Sequence, residues 1–240
     1  KKMTKLSRRV FLGSAPAAAA AAGIFGTFFS TAAEAAIKWD ETYNVIVIGA
    51  GGAGLSAAVS AKEAGAKKVV VLEKMMFAGG NTIRAGGGFN AAIKADYEKA
   101  GITDSPKLHA EQTLAAGDGR GDPVLVHQLT EKAPESVQWL KDHGVKFQDH
   151  IYQIYGGLYK RARNPIGPRG GAYIKALLEV CKKEDIPILY NTRVVEIIRE
   201  HQLSGRVLGV KVEQKGGKTL YLRATNAVVA AAGGFAANDR

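Results

Sequence analysis

Cysteine is almost absent from this sequence, because Cys181 is the only one among 240 residues. A single cysteine excludes a disulfide framework, a paired-cysteine redox motif, a zinc site built on cysteines and a C-x-x-C-H haem attachment within the chain. Cys181 follows Ile174, Leu177 and Leu178 at helical spacing. This spacing predicts that the thiol faces the core of a helix and is not a reactive group.

The sequence also lacks a basic stripe interleaved with aromatic residues. Its net charge is +11, but residues 1–36 hold five of the cations and one acid, which leaves +7 spread over the rest. We therefore expect no nucleic-acid partner. The five histidines show neither metal-ligand spacing nor a partner carboxylate pattern, so no metal site is expected, and solvated or capping roles are predicted for them. They are His109, His127, His143, His150 and His201.

Residues 1–36 have the pattern of an export signal. A basic start precedes an uncharged, alanine-dominated run at 10–29, and Ala33-Glu34-Ala35 has the form of a cleavage site. The run could just span a bilayer, but its alanines are weakly hydrophobic, so a cleaved signal is favoured over an uncleaved anchor. The segment Ser7-Arg8-Arg9-Val10-Phe11-Leu12 is similar to signals read by the twin-arginine machinery, which exports folded proteins. We therefore expect a periplasmic protein that is cleaved near Ala35.

The mature chain, residues 37–240, is predicted as one incomplete cofactor-binding domain. Residues 44–48 form an apolar run typical of a parallel strand covered on both faces. A glycine turn at 49–54, an alanine-rich helix at 55–65 and a second strand at 68–73 follow. This order of elements predicts an α/β fold with a parallel sheet.

The middle of the chain is predicted to be a helical insertion. Ser105-Pro106 and Asp122-Pro123 each place a capping side chain before a first-turn proline, which predicts two helix starts. A further helix is predicted at 174–181. Strand patterns then follow at 188–190, 194–198, 206–213 and 219–223, which predict an antiparallel meander, and at 227–232, which predicts a last buried strand.

The glycine turn has the spacing of a dinucleotide-binding motif. Gly49, Gly51 and Gly54 stand between a predicted strand and helix, and Glu73 ends the next strand. Gly49 permits the tight turn, Gly51 lets a pyrophosphate approach the backbone, and Gly54 lets helix and strand pack closely. The carboxylate of Glu73 is placed to accept ribose hydroxyls, which favours a cofactor without a 2′-phosphate.

A second glycine segment, residues 79–90, contains five glycines within ten positions. Packing alone gives no reason for so many, whereas a backbone that passes close to a large flat ligand does. We therefore expect this segment to border the same ligand as the glycine turn.

These motifs together resemble the flavoprotein subunit family of fumarate reductases, near the soluble periplasmic fumarate reductases and related urocanate and ketosteroid enzymes. The likeness covers residues 44–239. It rests on Gly-Ala-Gly-Gly-Ala-Gly at 49–54, Leu72-Glu73-Lys74, Gly-Gly-Asn-Thr at 79–82, Ala-Gly-Gly-Gly-Phe-Asn-Ala at 85–91, Ile-Thr-Asp-Ser-Pro at 102–106 and Ala-Gly-Gly-Phe at 232–235.

The resemblance implies FAD as the cofactor. It places the pyrophosphate at the glycine turn, the ribose at Glu73, the flavin at the second glycine segment and the adenine at the backbone of Val194, with a later Gly-Gly pair closing over the cofactor. Asn81 stands where membrane-bound relatives carry the histidine that links FAD covalently, so non-covalent FAD is implied. The implied contacts are Gly49, Gly51, Gly52, Ala53, Gly54, Glu73, Lys74, Gly80, Asn81, Thr82, Ala85, Gly86, Gly87, Gly88, Val194, Ala232, Gly233 and Gly234.

The resemblance further implies a reductase that passes a hydride from flavin N5 to the activated double bond of a small unsaturated carboxylate. Neither a haem domain nor a covalent-FMN domain fits between the signal and Tyr43, so a separate c-type cytochrome is expected as electron donor. The chain reads Arg161-Ala162-Arg163-Asn164-Pro165 where the soluble reductases tend to read Arg-Ala-His-Arg-Pro, which leaves the substrate open.

The family is longer than this chain, so the capping domain and the catalytic residues are expected beyond Arg240, and no catalytic residue is assigned. Two alternatives to the reductase remain. One is a flavoenzyme of ketosteroid dehydrogenase type, and the other is a non-catalytic fragment that binds only nucleotide.

Overall fold

The computed structural model describes residues 37–202 and 204–234. The predicted export signal therefore lies outside the described residues. The helices are α1 (Gly52–Glu63), α2 (Lys94–Lys99), α3 (Pro106–Ala116), α4 (Pro123–Asp142) and α5 (Gly171–Lys183). None of these helices, within the described ranges, is long and apolar enough to cross a membrane.

The strands are β1 (Glu41–Ile48), β2 (Val69–Leu72), β3 (Phe89–Asn90), β4 (Tyr152–Gln153), β5 (Lys160–Arg163), β6 (Ile188–Leu189), β7 (Thr192–His201), β8 (Ser204–Gln214) and β9 (Thr219–Ala230). The main sheet has the order β6-β2-β1-β9-β8-β7, and a small sheet has the order β3-β5-β4. In the main sheet β6, β2, β1 and β9 are parallel, while β9, β8 and β7 are antiparallel. The predicted α/β class with a parallel sheet and an antiparallel meander is confirmed.

The four residues of β2 show why the sheet sits at the centre of the domain. Val69 and Val71 pack on the face covered by α1 and α5, and Val70 and Leu72 pack on the opposite face against β8 and β9. Because both faces are covered, an uninterrupted apolar run is the stable sequence for this strand. The carboxyl ends of β1 and β2 thereby have fixed positions. The glycine turn comes directly after β1, and Glu73 comes directly after β2.

Three features of the predicted strands are wrong. The strand predicted at 188–190 does not belong to the meander, because β6 pairs in parallel with β2. The strands predicted at 219–223 and 227–232 are one strand, β9, whose pairing with β1 shifts register between Tyr43 and Val45. Thr225 and Asn226, between the two predicted strands, lie at this irregularity, where Asn44 Nδ2 donates to Thr225 Oγ1 at 3.0 Å. The last residues of β9 are also not buried, since Val228 and Val229 are only half-buried and Ala227 and Ala230 are exposed.

The helical insertion begins its helices where the sequence predicts them. The Ser105 hydroxyl accepts a hydrogen bond from the backbone N–H of Leu108 at 3.0 Å, and Asp122 accepts one from Val124 at 2.9 Å. Cys181 lies in the core on α5 and is 1% exposed. Burial raises the pKa of its thiol to about 11, so the thiolate needed for reactivity is not populated at neutral pH.

The predicted solvated or capping role is wrong for His109, whereas His143 holds the predicted capping position at the end of α4 and has a carboxylate partner in addition. His109 on α3 is only 8% exposed, so it is a buried side chain. His143, directly after α4, places Nε2 2.8 Å from Glu63 Oε1 on α1. The two residues are 80 positions apart, and local spacing could therefore not reveal the pair.

Candidate cofactor-binding site

The glycine turn contains two glycines that the protein's own packing requires. Gly49 has a φ of +103°, and a Cβ there would lie 2.5 Å from the carbonyl oxygen of Ala231. A Cβ on Gly54 would lie 1.8 Å from the carbonyl oxygen of Gly49. These contacts bring the start of α1 directly against the end of β1.

Gly51 differs from both of these glycines because it faces open space. A Cβ there would meet only the carbonyl oxygen of Gly79, at 3.9 Å. The backbone N–H of Gly52 is satisfied by the Thr82 hydroxyl at 3.2 Å, whereas those of Ala53 and Gly54 have no partner among the described residues. Free N–H groups at a helix start, together with the helix dipole, form a site suited to an anion such as a phosphate.

Glu73 lies directly after β2 and is 7% exposed. One carboxylate oxygen accepts the backbone N–H of Ala50 at 2.8 Å, and the other accepts that of Met75 at 2.9 Å. The side chain therefore braces the glycine turn, a role that the sequence did not reveal. A carboxylate can accept about four hydrogen bonds, so acceptor capacity remains for the hydroxyls of a ribose.

A cavity of about 230 Å³ opens beside Glu73 at the carboxyl ends of β1 and β2. In doubly wound sheets, ligands bind at this end of the strands. Five of the predicted site residues line it: Gly49, Glu73, Lys74, Val194 and Ala232. Four lining residues were missed from the sequence: Ile48, Leu72, Thr192 and Arg193. A larger cleft of about 500 Å³ beside α5 contains none of the predicted site residues. The lining residues therefore favour the smaller cavity as part of the cofactor site.

The second glycine segment lies beside the glycine turn. Gly79 forms a parallel bridge with Gly51, and its N–H donates to the carbonyl oxygen of Ala50 at 2.8 Å. This contact brings Gly80, Asn81 and Thr82 next to the free N–H groups of α1. The predicted pyrophosphate contacts of the glycine turn thus lie beside the first of the predicted flavin contacts on the second segment.

Packing explains three of the five glycines in this segment, contrary to the sequence-based expectation. An added Cβ would lie 2.2 Å from Ile83 Cγ2 at Gly79, 2.8 Å from the Arg169 carbonyl carbon at Gly87 and 2.7 Å from the Tyr152 hydroxyl at Gly88. Gly80 and Gly86 have more room, since a Cβ would have its nearest neighbour at 3.6 Å at Gly80 and none within 4 Å at Gly86. Only these two glycines therefore remain candidates for a ligand-facing role by this criterion.

The remaining predicted contacts are exposed. Asn81 and Ala85 flank a short 3₁₀ turn at Thr82–Arg84. Gly233 and Gly234 follow Ala232 beyond β9, and neither would place a Cβ within 4 Å of another described atom. They thus follow a residue that lines the cavity, while Ala85 and Gly86 lie farther along the second glycine segment.

Arg161 and Arg163 are buried and bind other residues of the protein. Arg161 donates to both carboxylate oxygens of Asp104, at 2.7 and 3.0 Å, and Arg163 pairs with Asp96 and with the carbonyl oxygen of Ala91. Burial first, and the Arg161 charge second, lower the pKa of His109, whose Nδ1 is buried without a hydrogen-bond partner among the described residues. No cluster of three metal-ligating side chains occurs in the part of the chain that the structure describes.

Comparison with known proteins identifies the family. Residues 44–239 match the FAD binding domain family. The chain is 37% identical over 201 residues to a fumarate reductase (cytochrome) of Shewanella frigidimarina, covering 83% of this chain and 34% of that protein. It thus spans about a third of the length of this relative.

Two solved structures share the fold. The open conformation of a flavocytochrome c3 fumarate reductase has a TM-score of 0.75 and 32% identity, covering 82% of this chain and 34% of that one. A 3-ketosteroid-Δ4-(5α)-dehydrogenase from Rhodococcus jostii RHA1 also has a TM-score of 0.75, with 28% identity, covering 85% of this chain and 48% of that one. The family match and the geometry of the glycine turn, Glu73 and the adjoining cavity agree. The chain belongs to the FAD-binding domain family.

Proposed function

We propose that this chain is the FAD-binding part of an oxidoreductase that reduces the activated C=C bond of a small unsaturated carboxylate. The observation that carries the proposal is the site formed by the glycine turn, the free N–H groups at the start of α1 and the buried carboxylate of Glu73. The Shewanella relative, a fumarate reductase, supports the substrate class. FAD, when bound, supplies a ring whose N5 can pass a hydride to such a bond.

The residues present fit FAD part by part. The unpaired N–H groups of Ala53 and Gly54 suit the pyrophosphate, and the open space at Gly51 lets it approach the backbone. Glu73 retains acceptor capacity for the ribose hydroxyls, and the cavity beside it leads to Val194 for the adenine. The exposed backbone at Gly80 and Gly86 is available to the flavin half. The chain's contribution is therefore to bind and orient the cofactor.

Non-covalent binding is part of the proposal. Asn81 is exposed at the position where covalent relatives carry a histidine. An amide nitrogen is not a nucleophile of the imidazole kind, so it forms no linkage to the flavin. Acid precipitation of the full-length holoprotein should leave yellow flavin in the supernatant, and colour retained in the pellet would contradict this point.

The proposed location is the periplasm, and a separate c-type cytochrome is the proposed electron donor. The twin-arginine pattern supports export of the folded protein, and the Shewanella relative supports a cytochrome-linked reaction. Replacing Arg8 and Arg9 together by Lys keeps the charge but removes the specific signal. The double variant should accumulate in the cytoplasm, whereas normal periplasmic levels would refute twin-arginine export.

A ketosteroid dehydrogenase is the second candidate, because the Rhodococcus enzyme matches the fold equally well by TM-score. Activity assays of the full-length protein separate the two candidates. The reductase should oxidise reduced methyl viologen when fumarate or another unsaturated carboxylate is added. A steroid enzyme should instead reduce an artificial acceptor in the presence of a 3-ketosteroid and ignore fumarate.

A further inference from the structure

Two cationic side chains at the edge of the 230 Å³ cavity have no partner within the described part of the chain. Lys74 and Arg193 both line the cavity and are exposed, and neither makes a hydrogen bond or an ion pair with a described residue. Arg193 pairs in register with Glu213 of β8, yet the two side chains form no ion pair. The guanidinium of Arg193 is therefore available to a ligand.

The backbone that carries Arg193 has a fixed position beside Glu73, whose carboxylate is proposed to bind the ribose. The preceding residue, Thr192, is 1% exposed, and its N–H donates to the carbonyl oxygen of Glu73 at 2.9 Å. The start of β7 is thus hydrogen-bonded to the end of β2. This bond keeps Arg193 at the cavity even though β7 ends at the far edge of the sheet.

The cavity offers three kinds of surface to a ligand. Ile48, Leu72 and Val194 provide apolar contact, Glu73 provides acceptors for hydroxyl groups, and Arg193 provides a planar cation. A guanidinium is weakly hydrated and stacks on the face of aromatic rings. A nucleoside, with a flat ring joined to a hydroxylated sugar, matches this combination of surfaces. The pyrophosphate is accounted for by the N–H groups of α1, so the guanidinium is not needed for it.

We propose that Arg193 stacks its guanidinium on the adenine ring of FAD and so determines that the site takes the adenosine half of the cofactor. This inference rests on the proposed function, because it requires that the chain bind FAD. Lys74 lines the same cavity, but its compact, strongly hydrated ammonium group lacks the flat surface that stacking on a ring requires. Stacking therefore falls to Arg193, whose shape and hydration suit it.

The test is a titration of the full-length apoprotein with FAD, followed by quenching of flavin fluorescence. Arg193→Gln should raise the Kd for FAD roughly 3- to 30-fold, the range that corresponds to a cation–π contact. Arg193→Lys should recover only part of the lost FAD affinity, because lysine restores the positive charge but not the planar guanidinium group. Arg199→Gln is the matched control, since Arg199 is exposed on the same strand but does not line the cavity.

Competition by ADP locates the effect on the cofactor. ADP carries adenine, ribose and pyrophosphate but no flavin, so its dissociation constant, obtained from competition with FAD, should rise in Arg193→Gln by the same factor as the Kd for FAD. Wild-type affinity for FAD in Arg193→Gln, full recovery in Arg193→Lys, or an unchanged dissociation constant for ADP would each overturn the inference. Failure of the wild-type protein to bind FAD would instead refute the proposed function, so the two failures are distinguishable.

Discussion

The glycine turn and the second glycine segment have similar compositions but are held in place in different ways. The turn is fixed by its immediate neighbours in the sheet: Gly49 donates to the carbonyl oxygen of Leu72 at 2.8 Å, and Ala231 donates to that of Ile48 at 2.9 Å. The second segment is held partly by the glycine turn and partly by elements outside the main sheet. The Tyr173 hydroxyl on α5 donates to the carbonyl oxygen of Gly87 at 2.7 Å, 86 residues away in sequence.

This difference indicates that the two halves of the proposed cofactor site depend on different contacts. The proposed pyrophosphate and ribose side depends on the pairing of the parallel strands. The flavin side also needs the insertion, because β3 at the end of the second glycine segment pairs with β5, and β5 carries the arginines that bind Asp104 and Asp96. Substitutions in the insertion should therefore affect the second segment without altering the glycine turn.

The largest expected effect comes from Asp104→Asn. This change leaves the buried guanidinium of Arg161 without its counter-charge, and breaking a buried ion pair on one side costs about 3–5 kcal/mol. The free energy of unfolding from urea titration measures the loss. Glu111→Gln on α3 is the control, because its 3.9 Å pair with Lys107 is exposed and contributes less than about 1 kcal/mol. Equal effects of the two changes would show that the Asp104 pair does not support the insertion.

Gly54→Ala and Gly51→Ala together sharpen the contrast within the glycine turn. A Cβ on Gly54 would collide with backbone, so we expect a loss of about 3 kcal/mol in stability. At Gly51 the Cβ has room within the protein, so stability should be nearly unchanged while FAD affinity falls. Thermal unfolding of the apoproteins and FAD titration measure the two effects. A stable Gly54→Ala protein with wild-type FAD affinity would refute the packing argument.

Glu73→Gln tests whether the residue that braces the glycine turn also binds the ribose of FAD. The substitution removes the charge from bonds worth about 1.5–3 kcal/mol each and presents an NH₂ group to the N–H of Ala50 or Met75, where an acceptor is needed. FAD affinity of the full-length protein should fall about tenfold or more, equivalent to ~1.4 kcal/mol. Hydrogen exchange at Ala50 should also become faster in the apoprotein. Wild-type FAD binding in this variant would contradict the ribose assignment.

The smallest expected effect is a pH dependence from His109 on the insertion side. Burial lowers its pKa below the value of 6.5 in the unfolded chain, so its neutral form is favoured on folding. The resulting stability is present above pH 6.5 and is lost as the pH falls through the folded-state pKa. Unfolding free energies between pH 7 and 5 should fall more steeply for the wild type than for His109→Gln. Parallel pH profiles would show that His109 does not contribute.

The sequence predicted the elements that local patterns determine. The apolar run of β2, the capped starts of α3 and α4 and the strand–turn–helix around Gly51 each follow from neighbouring residues. The sequence could not show that Gly87 and Gly88 pack against Arg169 and Tyr152, because those contacts join distant segments. For the same reason it missed the burial of His109.

Other misses arose where polar or charged residues lie within strands. Thr225 and Asn226 lie between the two predicted strands, but the register shift between β1 and β9 lets Asn44 bond to Thr225 inside the sheet. Arg193 gave no signal because a single exposed arginine in a strand is ordinary. Its significance depends on the bond between Thr192 and Glu73, which only the tertiary structure reveals.

The pairing of β1 with β9 has a consequence for biosynthesis. Asn44 and Asn226 meet in this pairing although they are 182 residues apart, and contacts of such sequence separation form slowly. During translation, β1 therefore emerges long before the strand that completes its hydrogen bonding. One edge of β1 remains unpaired for that time, with the aggregation hazard that an open apolar strand carries. We therefore expect this domain to complete its sheet only after β9 has left the ribosome, and to benefit from chaperone protection until then.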